Sequence, residues 1–299
     1  MKQENYIRGM IMIILSAFFF ACMNVSVRLA GDLSSVQKSF FRNLVAAFFA
    51  AIILIKNHTA PKVEKTQWGS LFLRCAFGTL GILCNFYAID HLLVADASIL
   101  NKLSPFFAII FSFLLLKEKI KPAQAMCVIL AFVGCLFVVK PGFENAHLIP
   151  ALIGVCGGLG AGIAYTMVRK MGTHGVKGPV IVFYFSCFSC IIVIPWIVFH
   201  YQPMSLRQLL TLLLAGLFAA GGQFTITAAY TYAPCLLYTS DAYAPAGKIS
   251  IFDYSQIIFA TLLGFLLFAE IPDRYSLIGY GLIILASLGN FLYNWKHKD

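Results

Sequence analysis

The chain has 299 residues, 60% of them hydrophobic and only 11% charged, with a mean hydropathy of +0.85. Soluble domains run nearer a quarter charged, so the composition excludes an ordinary soluble enzyme or binding domain and points to a membrane protein. The net charge of +10 would suggest nucleic acid in a soluble chain. Here it is better read as the bias of Lys and Arg toward cytoplasmic loops, and no nucleic-acid partner is expected.

In chain order, apolar runs of about 20 residues, the length that crosses the hydrocarbon core, cover residues 7–28, 34–55, 68–89, 93–116, 121–140, 147–169, 178–200, 208–231, 246–269 and 275–294. The first run is too long for a signal-peptide core and no small-residue cleavage site follows it, so it reads as a retained first helix. The loops are short and leave no room for a soluble domain. With the N-terminus inside, thirteen Lys or Arg fall on inside segments and five (Arg28, Lys38, Lys140, Arg207 and Arg274) outside. That bias predicts both termini in the cytoplasm, and a bacterial inner membrane is the expected location. In helix six, Gly154, Gly158 and Gly162 recur every fourth residue, the small-residue stripe that lets membrane helices approach closely and not a nucleotide loop. Cys187 and Cys190 share a helix face but have no His or carboxylate beside them, so they read as packing groups. Neither a metal nor a cofactor is expected.

The two halves of the chain resemble each other. "VRLAG" at Val27–Gly31 matches "VRKMG" at Val168–Gly172, an offset of 141 that also sets Gly81 on Gly222. "SILNK" at Ser98–Lys102 meets "SIFDY" at Ser250–Tyr254, and Glu118 meets Glu270, now at an offset of 152. The difference, 152 − 141 = 11, equals the length of Cys235–Pro245, which is bordered by a duplicated Tyr-Ala-Pro at Tyr232–Pro234 and Tyr243–Pro245. The segment "CLLYTSDA" within it resembles a translated sequencing-adapter peptide, so residues 235–245 are expected to be an insertion artefact. The fold class expected is an all-α integral membrane protein of ten transmembrane helices, arranged as two inverted five-helix repeats, residues 1–141 and 142–299. Inverted repeats are the signature of secondary transporters, whose site lies between the halves near the midplane.

A charged side chain at the bilayer centre costs about 2.5–3.5 kcal/mol on insertion scales, so the charges inside spans are candidates for function. Helix four carries Asp96, Ser98, Asn101 and Lys102, followed by Ser104-Pro105. Ser98, Asn101 and Lys102 share one face, and Pro105 removes the bond to the carbonyl of Asn101 and should kink the helix there. The inverted partner on helix nine presents Ser250, Asp253 and Tyr254 at the equivalent positions. Lys102 pairs with Asp96 or Asp253, or snorkels, or binds an anionic or zwitterionic solute. Asp253 is the best candidate for a proton-coupling carboxylate. Asn24, Asn85, Tyr87 and Gln223 lie within spans and are candidate cavity residues. Arg42 and Arg74 either fork onto a carboxylate or phosphate or staple helix ends, and the second role is favoured. Glu118 and Glu270, at helix ends, are expected to be structural or gating.

"SPFFAIIFSFLLLKE" at Ser104–Glu118, "YSQIIFATLLGFLLFAE" at Tyr254–Glu270, "FFRNLVAAFFAAII" at Phe40–Ile53 and "LLVADASIL" at Leu92–Leu100 resemble the EamA family of the drug/metabolite transporter superfamily, over the whole chain apart from the insert. The resemblance implies a basket of ten helices around a central cavity, alternating access, and export or import of small metabolites. The expectation is therefore a secondary, non-ATP transporter of a small organic metabolite and not an enzyme. Ser98, Asn101, Lys102, Ser250, Asp253, Tyr254, Asn85 and Gln223 would bind substrate, and Asp253, Asp96, Glu118 and Glu270 would couple or gate. The partners expected are a small-molecule solute and the lipid bilayer, with a homodimer left open. The alternatives are an intramembrane enzyme, for which no G-x-S-x-G or H-E-x-x-H motif occurs, or a non-coupled membrane sensor or lipid scramblase.

Overall fold

The computed structural model describes residues 2–116, 121–140, 147–232 and 251–296. They form α1 (Lys2–Leu29), α2 (Ser35–Lys56), α3 (Trp68–His91), α4 (Val94–Asn101), α5 (Ser104–Leu116), α6 (Pro122–Val139), α7 (Leu148–Thr173), α8 (Gly178–His200), α9 (Leu206–Tyr232), a 3-10 turn at Ile251–Tyr254, α10 (Ser255–Phe268) and α11 (Arg274–Lys296). Helix ends follow local chemistry. Gly31 turns the chain after α1 at φ +69°, a conformation that costs glycine little. Ser34 then caps α2 by accepting from the amide of Gln37 at 3.2 Å.

Among the described residues nine stretches are long and apolar enough to cross a membrane, with α4 and α5 counted as one, Val94–Leu115. The ninth predicted span, 246–269, is described only from Ile251, as the turn and α10. Large apolar side chains cover the outside of the bundle, among them Phe199 at 82% exposed, Ile55 at 74% and Met126 at 73%. Such a surface would drive aggregation in water and is the surface lipid requires.

Packing follows the inverted repeat. α1 lies along α9, and its counterpart α7 lies along α3. α2 packs on α8 and α6 on α11, each pair made of equivalent helices. The offset of 141 is visible in the contacts: Gly81 meets the α7 backbone at Gly157 and Ala161, while Gly222 meets Phe20 of α1 and accepts from Ser16 Oγ at 2.8 Å.

The glycine stripe of α7 packs as the sequence predicts, against the broken helix. A Cβ on Gly158 would lie 2.7 Å from the carbonyl oxygen of Leu100, and one on Gly162 would lie 2.5 Å from Phe107 Cβ and 3.0 Å from the carbonyl oxygen of Ser104. None of these atoms can swing away. Gly158→Ala or Gly162→Ala should therefore lower stability by about 1–3 kcal/mol, the usual cost of overpacking. A Cβ on Gly172 of the same helix meets nothing within 4 Å, so Gly172→Ala should hold or raise the melting temperature. Thermal melts of the three variants in one detergent check the contrast.

Candidate functional site

In the first repeat α4 ends at Asn101 and α5 begins at Ser104, where Pro105 has no N–H to offer the Asn101 carbonyl. In the second repeat the 3-10 turn Ile251–Tyr254 leads into α10, so Asp253 and Tyr254 occupy the positions of Asn101 and Lys102. The α4–α5 break and this turn touch. Lys102 Nζ forms an ion pair with Asp253 Oδ2, and the Tyr254 hydroxyl donates to the Lys102 carbonyl at 3.0 Å. The side chains of Lys102 and Asp253 are 11% and 21% exposed, and Asp253 Oδ1 is buried without a hydrogen-bond partner. A charge pair so little hydrated is attractive only while both partners are present.

The other predicted residues separate into distinct roles. Ser98 is fully buried; its hydroxyl donates to the Val94 carbonyl at 2.6 Å and accepts from Asn24 Nδ2 at 3.0 Å, so it fastens α1 to α4. Asp96 accepts from the Tyr280 hydroxyl at 2.6 Å, which ties α4 to α11 and turns it away from Lys102. Asn101 is half-buried beside the break. Asn85 is buried on α3 where α7 comes close, with Oδ1 unpartnered. Gln223 is exposed on α9. Ser250 and Glu118 lie outside the described residues, as do residues 235–245.

Glu270 sits where four elements meet. Its Oε2 accepts from the amide of Val94, the first residue of α4, at 2.8 Å, and its Oε1 pairs with Arg28 Nη2 at 2.8 Å. Arg28, at the end of α1, also donates to the carbonyls of Ile89 (3.0 Å) and Leu92, and stands over the Phe268 ring. Close by in sequence, fully buried Lys38 of α2 pairs with Asp90 of α3 at 2.6 Å. Two ion pairs thus hold together the ends of α1, α3, α4 and α10 and the start of α2. Neither pairing was legible in sequence, since the contact of Val94 with Glu270 spans 176 residues.

Burial pushes the Glu270 carboxyl up from its ordinary value of 4.5, against the opposing pull of the Val94 amide and Arg28. A carboxylate raised on folding leaves the native state binding more protons than the unfolded chain, so its contribution to stability falls as pH rises above about 4.5. Glu270→Gln should remove that component from a plot of melting temperature against pH and stay within about 1 kcal/mol of the parent near neutrality, because an amide can still serve Val94. Glu270→Ala should cost about 1–3 kcal/mol by leaving a buried donor unpaired.

Arg42 and Arg74 correct the expectation of helix-end staples. They lie about two turns inside α2 and α3, half-buried, each with a buried and unpartnered Nε. Tyr165 of α7, which sequence spacing does not mark, is 53% exposed and lies one turn beyond Gly162, whose backbone packs on Ser104 at the break.

The sequence profile of the EamA-like transporter family matches residues 7–140 and again 148–292. The pseudopaline exporter CntI of Pseudomonas aeruginosa is 30% identical over 285 residues, covering 94% of each chain. Human solute carrier family 35 member G1 is 24% identical, covering 97% of this chain and 80% of its own. A riboflavin transporter of Brucella anthropi is 25% identical over 90% of this chain and 93% of its own. A solved crystal structure with 13% sequence identity superposes with a TM-score of 0.65 over 97% of this chain and 99% of that one, a likeness of fold alone. The two profile matches, one on each side of the α6–α7 connection, together with this architecture, place the chain in the EamA-like transporter family.

Proposed function

We propose that this multi-pass membrane protein is a secondary transporter of a small organic metabolite, working by alternating access with its solute held where the α4–α5 break meets the turn at Ile251–Tyr254. The observation that carries the reading is the Lys102–Asp253 pair, because it joins the equivalent registers of two inverted repeats with unlike charges. Charged groups at bilayer depth belong to pathways and couplings far more often than to packing, and discontinuous helices mark the site in inverted-repeat transporters. The names of the relatives, an exporter and a riboflavin transporter among them, agree with transport as the activity, while an enzyme finds no support among them. The Lys and Arg bias supports cytoplasmic termini, and a bacterial inner membrane is the location proposed.

Asp253 is the coupling carboxylate in this reading: it exchanges Lys102 for a proton or for a cationic group of the solute. Glu270 and Arg28 close the face opposite the termini. The test compares intracellular and medium metabolites by mass spectrometry in cells expressing the chain, its Lys102→Ala variant or an empty vector. One metabolite class redistributed by the parent and not by the variant supports the reading. Equal redistribution by both, with the variant folded, removes Lys102 from the mechanism.

A further inference from the structure

We propose that Arg42 and Arg74 form the anion-binding end of the solute site and take a carboxylate of the transported molecule. The proposal rests on the transport reading for the word solute, but not for the binding itself.

Arg42 and Arg74 meet the same stretch of α8, Arg42 through Asn43 and Ser189 and Arg74 over Phe185, one helical turn away, so the two like charges face each other's field. Among the described residues no carboxylate forms an ion pair with either. Arg42 Nη1 donates to Asn43 Oδ1 at 2.6 Å, and Asn43 Nδ2 in turn donates to Ser189 Oγ at 2.7 Å, which fixes the guanidinium without neutralising it. The Arg74 guanidinium lies over the Phe185 ring, 4.0 Å from its centroid. Gly78 makes room for it, since a methyl there would collide with Arg74 Nη1 and come within 2.9 Å of Phe185. A glycine and an aromatic face thus seat one cation, and a buried amide seats the other.

Arg42 and Arg74 are half-buried within their spans, and Tyr165 of α7 is 53% exposed, on the helix that packs along α3 and against the α4–α5 break. Two like charges held at bilayer depth, each with a buried donor lacking an acceptor, are a costly arrangement. An anion relieves the repulsion, and a guanidinium fork matches a planar carboxylate with two parallel bonds.

The experiment uses the purified full chain in a neutral detergent without added lipid. Melting temperatures are compared at constant ionic strength with succinate, citrate, inorganic phosphate and the uncharged succinamide. Succinate or citrate should raise the parent's melting temperature by roughly 2–5 °C at saturating concentration, and succinamide should not. Arg42→Gln and Arg74→Gln should lose that response, and without ligand each should melt no lower than the parent, because one of two repelling charges is gone. Arg74→Lys keeps the charge but not the fork and should need about tenfold more carboxylate. The melting response reads binding alone and needs no solute movement, so a failure of transport and a failure of this site are distinguishable. A parent that responds to none of the three anions, or to phosphate alone, overturns the carboxylate assignment. Ligand-free Gln variants that melt several degrees lower than the parent also overturn it, since they would make the arginines structural.

Discussion

Lys102→Ala and Asp253→Asn should each abolish solute movement, and the double substitution Lys102→Ala/Asp253→Asn should be more stable than Lys102→Ala while remaining inactive. Lys102→Ala leaves Asp253 as an uncompensated charge in a site where its side chain is only 21% exposed, and breaking such a pair costs about 3–5 kcal/mol at full burial. Removing both charges removes the penalty together with the attraction. Transport differs because it requires the charge, not the fold. A loss of about 3 kcal/mol from the step that opens or loads the site is more than a hundred-fold in rate. Melting curves and solute uptake on the same preparations separate the two effects through the coupling energy of the cycle. A double variant that is less stable than the sum of the singles would place the pair in no direct interaction. A double variant that still transports would remove the pair from the mechanism.

Deleting Cys235–Pro245 should raise both the yield of folded protein and its transport rate. The argument is one of register. Before the segment, equivalent contacts of α3 with α7 and of α9 with α1 stand at an offset of 141, through Gly81 and Gly222. After it, Lys102 at the α4–α5 break and Tyr254 at the end of the 3-10 turn stand at 152. The difference of eleven residues enters the chain between α9 and the turn at Ile251, directly ahead of Asp253. Surplus chain costs little in closure entropy, growing only as the logarithm of loop length. The expected gain therefore comes from the approach to the ninth span and from Asp253 behind it. A deleted form that melts lower or transports less than the chain as given would make the segment part of the working protein.

The spans, the inversion and the break at Pro105 were legible because each has a local cause: apolar length, repeat offset, and a missing N–H. The Lys102–Asp253 pair was legible in part, since repeat symmetry set the two positions opposite each other while leaving Asp96 as a rival. What excluded Asp96 was Tyr280, from a helix that sequence spacing does not connect to α4. Ser98 was read as a solute ligand, and its hydroxyl proves to be engaged by Val94 and Asn24. Arg28 with Glu270 and Lys38 with Asp90 were not foreseen, because pairings across helix ends leave no period in the sequence. Tyr165 escaped for a related reason: one tyrosine among 13 carries no mark until its neighbours are known.

The exchange of helices between the halves has a consequence for what counts as a part of this molecule. α7 belongs to the second repeat by descent, but its flanks fit against α3 and the α4–α5 break of the first. α1 belongs to the first, but lies along α9 and α10 of the second. The unit of duplication is therefore not the unit of folding. Cut between α6 and α7, neither fragment would keep the long faces it now covers for the other. The two would have to find each other in the bilayer before either could hold its shape. An ancestor of a single repeat length is then easiest to imagine as a pair of identical chains that exchanged helices from the start, with fusion recording a partnership already present.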